Sequence, residues 1–193
     1  NVNTHEELFA QFGLHLIMDS VDNFAGPLAG VLAGMDWASE NGYEYIVTAA
    51  ADTPFFPLNL VNVLGQVMKK NNCSIVMAST IDCQKKKNIH PTFGLWKVDL
   101  REDLRKSLNE GVRKMIIWTD RHTSSYSKFE QDRFDPFFNI NTKTDLKEAE
   151  KILKESLEEI LINLKEKGFV DHIVTREKMK LTLYNIISIL HEK

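Results

Sequence analysis

One carboxylate in the sequence stands where a phosphate-transfer site could use it. Asp52 is separated by one alanine from residues 45–50, the most apolar stretch of the chain, which predicts a buried central strand. In open α/β sheets, ligands bind beyond the carboxyl ends of the strands, so we expect Asp52 to project into that crevice. Mg²⁺ needs only one or two protein carboxylates when water and substrate phosphates complete its octahedron. The alternative is a turn in which Asp52 or Thr53 caps the next segment.

A second candidate site combines Asp19 with the segment from Gly26 to Gly30. Asp19 ends a predicted strand, and Gly26 would let the backbone approach a ligand closely. The helix predicted from Pro27 onward would offer unpaired N–H groups and a positive dipole end to an anion. An ordinary connection between a strand and a helix explains the same pattern. The GxxxxGK[ST] pattern of a P-loop does not occur in the sequence.

Amide and basic side chains later in the chain could bind a second substrate. Asn139 and Asn141 flank one apolar residue, so in a strand both amides would point to the same face. Amides both donate and accept hydrogen bonds, which suits a sugar, a base edge or a pterin. The alternative is a strand end that opens the next helix. Arg113 and Lys114 could neutralise phosphates or belong to a solvated face, and His90 precedes a proline that favours extended backbone.

The elements that must position these residues alternate along the chain, as in an α/β fold with a largely parallel sheet. The predicted strands cover residues 14–18, 45–50, 74–79, 92–96, 115–118 and 137–140. One helix is predicted to begin near residue 27. Four further helices are predicted over residues 58–70, 99–110, 145–165 and 176–189. The helix at 145–165 has apolar residues at steps of three and four, which indicates an amphipathic surface.

Composition narrows the classes of partner. The 193 residues include 24 Lys and Arg against 27 Asp and Glu, and the formal charge of −3 argues against binding nucleic acid. The longest apolar run is too short to span a membrane, so we expect no membrane partner. Two cysteines are too few for a disulfide framework, and they lack the clustered spacing of a zinc site. These features favour the cytoplasm.

Taken together, the motifs resemble those of the molybdenum cofactor guanylyltransferase family. The resemblance covers residues 1 to about 150 in order and approximate spacing. It rests on the strings Met18-Asp19-Ser20, Gly26-Pro27-Leu28-Ala29-Gly30, Ala51-Asp52-Thr53-Pro54-Phe55, His90-Pro91-Thr92 and Asn139-Ile140-Asn141-Thr142. The second and third strings discriminate best.

That resemblance implies a Rossmann-like, three-layer nucleotidyltransferase domain with a mostly parallel sheet over residues 1–150. Beyond it, the periodicity of apolar residues predicts a helical extension over 151–193. The resemblance also implies transfer of GMP from GTP to molybdenum-bearing molybdopterin, with release of pyrophosphate and with Mg²⁺ as cofactor. Asp52 matches the residue that binds Mg²⁺ and drives catalysis. The residues implied on the nucleotide side are Asn1, Asp19, Gly26, Gly30 and Asp52. Those implied on the molybdopterin side are Arg113, Lys114, Asn139 and Asn141.

The ends of the chain depart from the family pattern. Family members begin with a strand and a basic, glycine-rich loop that wraps the triphosphate. We therefore expect the chain from Asn1 onward to bind GTP weakly and to be nearly inactive alone. The C-terminal helices could dock on the domain or engage a partner such as a molybdoenzyme or chaperone. Two alternatives stay open: a sugar-phosphate or cytidylyl-type nucleotidyltransferase, and a non-catalytic cofactor-binding module.

Overall fold

The computed structural model describes residues 6–9, 13, 15–21, 26–82, 84–131 and 134–166, and it divides the chain into two compact units. Unit 1 comprises residues 1–50 and 56–136, and unit 2 comprises residues 51–55 and 137–193. Asn1 and the predicted helix at 176–189 lie outside the described residues. The predicted division at residue 150 falls within a helix, and a separate C-terminal extension stays a prediction.

The helices and strands follow one another along the chain with short connections. Their bounds are α1 Glu6–Phe9, α2 Pro27–Glu40, β1 Tyr45–Thr48, α3 Leu60–Asn71, β2 Ile75–Ile81, β3 Lys87–Lys97, a 3₁₀ turn Val98–Leu100, α4 Arg101–Asn109, α5 Met115–Thr119, β4 Ser124–Phe129 and α6 Lys143–Glu166. None of the described helices is long and apolar enough to cross a membrane.

The sheet of unit 1 has the order β1-β3-β2-β4 and is mixed rather than mostly parallel. β2 and β4 pair in parallel, whereas β3 pairs antiparallel with both β1 and β2. β1, β2 and β4 therefore run in one direction, and their carboxyl ends share an edge with the beginning of β3. The prediction of a buried central strand at residues 45–50 is wrong: among the described strands, β1 lies at the end of the order and is partly exposed. β3 and β2 are the inner strands, and β3 separates β1 from β2 because it pairs with both.

One face of the sheet carries the main core of unit 1. Helix α2 buries one side completely because its apolar residues recur at helical spacing. It packs with side chains of β2, β3, α4 and α5. The buried members are Leu28, Ala29, Val31, Leu32, Met35, Ile75, Met77, Trp96, Leu104, Leu108, Met115 and Trp118. Gly34 keeps the approach to the sheet close, since a Cβ there would lie 3.1 Å from Cδ1 of Ile46.

Helix α3 covers the opposite face, so unit 1 has three layers. Ile75 and Met77 of β2 point into the main core, and alternation turns Val76 and Ala78 to the other side, where they are also fully buried. α3 packs against β2, β3 and β4 and buries Leu60, Leu64 and Met68. The predicted α/β class is confirmed.

Several predicted strands differ from the structure. Residues 115–118 form helix α5, in which Met115, Trp118 and Thr119 are buried at helical spacing. An apolar run this short carries no periodicity that separates strand from helix. Residues 15–18 and 137–140 have no regular secondary structure. β4 was not predicted, because its sequence Ser-Ser-Tyr-Ser-Lys-Phe is mostly polar.

Unit 2 is built around the start of α6. The predicted helix at 145–165 is confirmed and runs slightly longer at both ends. Ile140 and Ala149 are buried, and Phe55, Phe138 and Leu146 pack against them. This small core joins the short segment 51–55 to the residues just before and inside the helix.

Candidate active site

Asp52 is tied by its backbone to the segment that carries the two asparagines. The amide of Ile140 donates a hydrogen bond of 2.8 Å to the carbonyl oxygen of Asp52. The side chain of Asp52 is half-buried, and its Oδ1 accepts a bond of 3.3 Å from Oγ1 of Thr53, which is itself buried. The chain therefore reaches Asp52 shortly after β1 ends and holds its carboxylate beside a donor. Sequence reasoning treated Thr53 only as a possible cap.

Asn139 and Asn141 both lie on the exposed side of their segment. Ile140 between them is buried, which places the two amides on the side opposite the small core of unit 2. These residues do not form the predicted strand, but burial alternates across them, with Asn139 and Asn141 exposed and Ile140 buried. Two amides that share an exposed side can donate and accept hydrogen bonds around a flat heterocycle.

A capping box fixes the backbone beside Asn141. Oδ2 of Asp145 accepts from the amides of Asn141 and Thr142, at 3.0 and 2.8 Å, and Oγ1 of Thr142 accepts from the amide of Asp145 at 3.1 Å. The box thus satisfies the amide of Asp145 in the first turn of α6 and the two amides that precede the helix. The Thr-x-x-Asp spacing was a readable signal for Asp145, which sequence reasoning did not single out.

In unit 1, Gly26 caps the N-terminus of α2 in a conformation that favours glycine. Its φ is 74° and ψ is −165°, and its carbonyl oxygen accepts from the amide of Ala29 at 3.0 Å. Pro27 occupies the first turn, where a missing N–H costs nothing. Gly26 is exposed and Gly30 is half-buried one turn later. The geometry is compatible with the predicted nucleotide contact at this helix end.

The remaining predicted residues of unit 1 have different surroundings. Asp19 is half-buried in an irregular segment. Nη1 of the exposed Arg113 donates to the carbonyl oxygens of Leu108 and Val112, at 2.7 and 3.0 Å, so this side chain also stabilises the end of α4. Lys114 is exposed and immediately precedes α5. Their roles toward a substrate stay predictions.

The surroundings of Asp52 suit a hard cation held by one protein carboxylate, rather than a metal centre built from several protein ligands. Within the described residues, no three His, Cys, Asp or Glu side chains gather into a group that could hold a metal ion. A site built on Asp52 would thus take most of its ligands from water and from substrate phosphates, as Mg²⁺ does in phosphate-transfer sites.

Comparison with known proteins decides the family. Residues 1–124 match the family described as MobA-like NTP transferase domain. The chain belongs to this family. Curated relatives named molybdenum cofactor guanylyltransferase include one from Nitrobacter hamburgensis, 39% identical over 155 residues, 79% of this chain and 72% of the relative. Another, from Rhodopseudomonas palustris, is 41% identical over 79% of this chain and 71% of the relative. The resemblance found in the sequence is confirmed.

Solved structures show the same fold for this MobA-like chain. Molybdopterin-guanine dinucleotide biosynthesis protein A from Archaeoglobus fulgidus superposes with a TM-score of 0.58 at 24% identity, covering 78% of this chain and 73% of that one. A 4-diphosphocytidyl-2C-methyl-D-erythritol synthase from Anaerococcus prevotii gives 0.57 at 15% identity, covering 77% of each chain. The MobA-like chain is thus a member of a nucleotidyltransferase family with a matching fold.

Proposed function

We propose that this MobA-like chain transfers GMP from GTP to the phosphate of molybdenum-bearing molybdopterin and releases pyrophosphate. The observation that carries the proposal is the identity of about 40% to curated molybdenum cofactor guanylyltransferases over 79% of the chain. The chemistry is consistent with the residues present. The attacking group is a phosphate oxygen that is already anionic at neutral pH, so no side chain has to remove a proton.

The reaction forms one P–O bond and breaks another. An oxygen of the molybdopterin phosphate attacks the α-phosphorus of GTP, and the bond between the α-phosphorus and the bridging oxygen breaks, so that pyrophosphate leaves. Catalysis of this kind depends on alignment and on neutralisation of phosphate charge. The protein therefore needs groups that orient two anionic substrates rather than a strong base.

We assign the metal-holding role to Asp52. Asp52 is half-buried, Thr53 donates to its carboxylate, and Ile140 restrains its backbone through the carbonyl oxygen. Mg²⁺ bound there would supply Lewis-acid stabilisation of charge on the phosphate oxygens. Asp52 itself orients the site and supplies the negative charge that such a cation requires.

The other predicted residues divide between the two substrates. Gly26 and Gly30 at the start of α2, with Asp19, are proposed to bind the nucleotide, where backbone N–H groups can face phosphate. Asn1 is proposed for the same role and lies outside the described residues. The exposed amides of Asn139 and Asn141 are proposed to bind the pterin, and Arg113 and Lys114 its phosphate.

We also propose the cytoplasm as the compartment, from the low cysteine count.

A nucleotide panel tests the function. The protein expressed from its complete gene is incubated with molybdenum-bearing molybdopterin, Mg²⁺ and either GTP, CTP or ATP, and the nucleotide-bearing cofactor and pyrophosphate are quantified. We expect product with GTP only. Preference for CTP or ATP would show a different nucleotidyltransferase, and binding without product from any nucleotide would show a non-catalytic module.

A further inference from the structure

The histidine of the His90-Pro91-Thr92 string has no part in the proposed chemistry, yet it is held firmly. His90 lies on β3 opposite Ala78 of β2. Its Nε2 lies 2.8 Å from Oγ1 of Thr80, a side chain with no exposure to solvent. A buried hydroxyl paired with a half-buried ring is a specific contact, because either group would be costly to leave unpaired.

This contact flanks an interruption in the pairing of β2 with β3. Met77 pairs with Gly94, while the next residue of β2, Ala78, pairs with His90. Residues 91–93 of β3 therefore have no partner in β2 and form a bulge. Proline cannot donate to a ladder, so Pro91 suits this position. Bulges re-aim side chains and are over-represented beside active sites.

The other flank of the bulge is fixed at the end of β1. Gly94 pairs with Thr48, the last residue of β1, and Nε1 of Trp96 donates to Oγ1 of Thr48 at 2.9 Å. A side chain at position 94 is excluded, because a Cβ there would lie 2.5 Å from Cζ2 of Trp96. Side-chain bonds to Thr80 on one side and to Thr48 on the other thus flank the bulge, which lies opposite the middle of β2 and beside the carboxyl end of β1.

The charge state of the ring fits a positioning role. Burial lowers the pKa of His90 below its usual value of 6.5, and the negative charge of Asp135 acts in the opposite direction. Nearby on the sheet, Nζ of Lys87 lies over the ring of Tyr126, 3.5 Å from its centroid, and burial lowers the pKa of Lys87. His90 is therefore neutral at pH 7 and works through a directional hydrogen bond.

We propose that His90, through its bond to Thr80, is a positioning residue that fixes the bulge and thereby the end of β1 from which the chain continues to Asp52. The importance of this placement for catalysis rests on the proposed function, while the positioning itself does not. Displacement of a reacting group by about 1 Å can cost about a hundredfold in rate, so a fixed strand end has kinetic value.

A variant, a matched control, a rescue variant and a second variant test the inference. Thr80→Val removes the hydroxyl that holds His90 and keeps the side-chain shape. Ser79→Ala removes a neighbouring buried hydroxyl of β2 whose bond, 3.2 Å to the carbonyl oxygen of Ser127, leads to β4 instead of the bulge. Thr80→Ser restores the hydroxyl. His90→Phe, which keeps a ring and loses the bond, serves as a second variant if Thr80→Val does not fold.

Amide hydrogen exchange over residues 49–55 and turnover are measured for each variant. We expect Thr80→Val to speed exchange of these amides about fivefold to tenfold, with kcat about tenfold lower, KM for GTP little changed and recovery in Thr80→Ser. Ser79→Ala should leave both readouts near wild type. Unchanged exchange in both Thr80→Val and His90→Phe would overturn the inference. If the variants exchange faster but the wild-type protein does not transfer GMP, the inference stands and the proposed function is overturned instead.

Discussion

The amide of Ile140 donates a hydrogen bond of 2.8 Å to the carbonyl oxygen of Asp52. These two residues are far apart in sequence and belong to two different motifs. The bond places the carboxylate proposed to hold a metal beside the segment proposed to hold the pterin. Unit 2 therefore contains both the carboxylate proposed for the metal and the amides proposed for the pterin.

Asp52→Asn should abolish turnover and leave the fold intact. The amide keeps the shape of the side chain and loses the charge that attracts a divalent cation, so we expect kcat to fall by about a hundredfold or more. The thermal unfolding temperature should change little, because the backbone bond to Ile140 remains. The control is Glu150→Gln, which removes an exposed carboxylate from α6. Near-normal activity in Asp52→Asn would remove Asp52 from the mechanism.

Asn139→Ala and Asn141→Ala should weaken binding of molybdopterin selectively. Both side chains are exposed, so their removal should not reduce stability, whereas each lost hydrogen bond should raise KM for molybdopterin up to about tenfold. KM for GTP should stay constant. Asn62→Ala, at an exposed position of α3, is the control. An equal rise in both KM values would contradict the assignment to the pterin side.

Asp145→Ala should destabilise unit 2 without changing any proposed ligand. It leaves the amides of Asn141 and Thr142 without their acceptor, at a cost of about 1 kcal/mol. Urea denaturation followed by circular dichroism measures the loss. Glu148→Ala removes the same charge from an exposed position of α6 and should have a much smaller effect. Equal losses would mean that charge, rather than capping, sets the stability.

Gly26→Ala should destabilise unit 1 by about 1 kcal/mol, since its φ of 74° is strained for any residue with a Cβ. Steric contact is not the cause, because a Cβ there would have no neighbour within 4 Å. Gly65→Ala is the matched control: it also lacks neighbours, but lies in the interior of α3. Chemical denaturation should show stabilisation of about 0.5–1 kcal/mol there. Stabilisation in both variants would exclude the strain.

His90 should make stability depend on pH. Its pKa is lowered in the folded protein, so the unfolded chain binds the proton more tightly. Its contribution is present above its usual pKa of 6.5 and is lost as the pH falls from there through the folded-state pKa. Urea denaturation between pH 7.5 and 5 should show this slope, and His90→Gln should flatten it. His15→Gln, at an exposed position, should retain the slope.

Motifs were sufficient to predict the family, the alternation of strands and helices to predict the α/β class, and apolar periodicity to predict the long helix α6. Short strings such as Ala51-Asp52-Thr53-Pro54-Phe55 combine residue types that phosphate chemistry requires, and α6 is long enough for its period to be unambiguous. Residues 115–118 were wrongly predicted as a strand because a short apolar run fits a strand or a single helical turn equally well. β4 escaped prediction because its partners, rather than its composition, make it a strand.

Local sequence thus determined which side chains could do chemistry, since that depends on residue type and near spacing. Only the tertiary structure decided that β3 lies antiparallel between β1 and β2, that Thr80 holds His90, and that Ile140 bonds to Asp52. These relationships join residues distant in the chain. They arise from strand order and from the burial of polar groups that must find partners. Neither can be predicted from any single stretch of sequence.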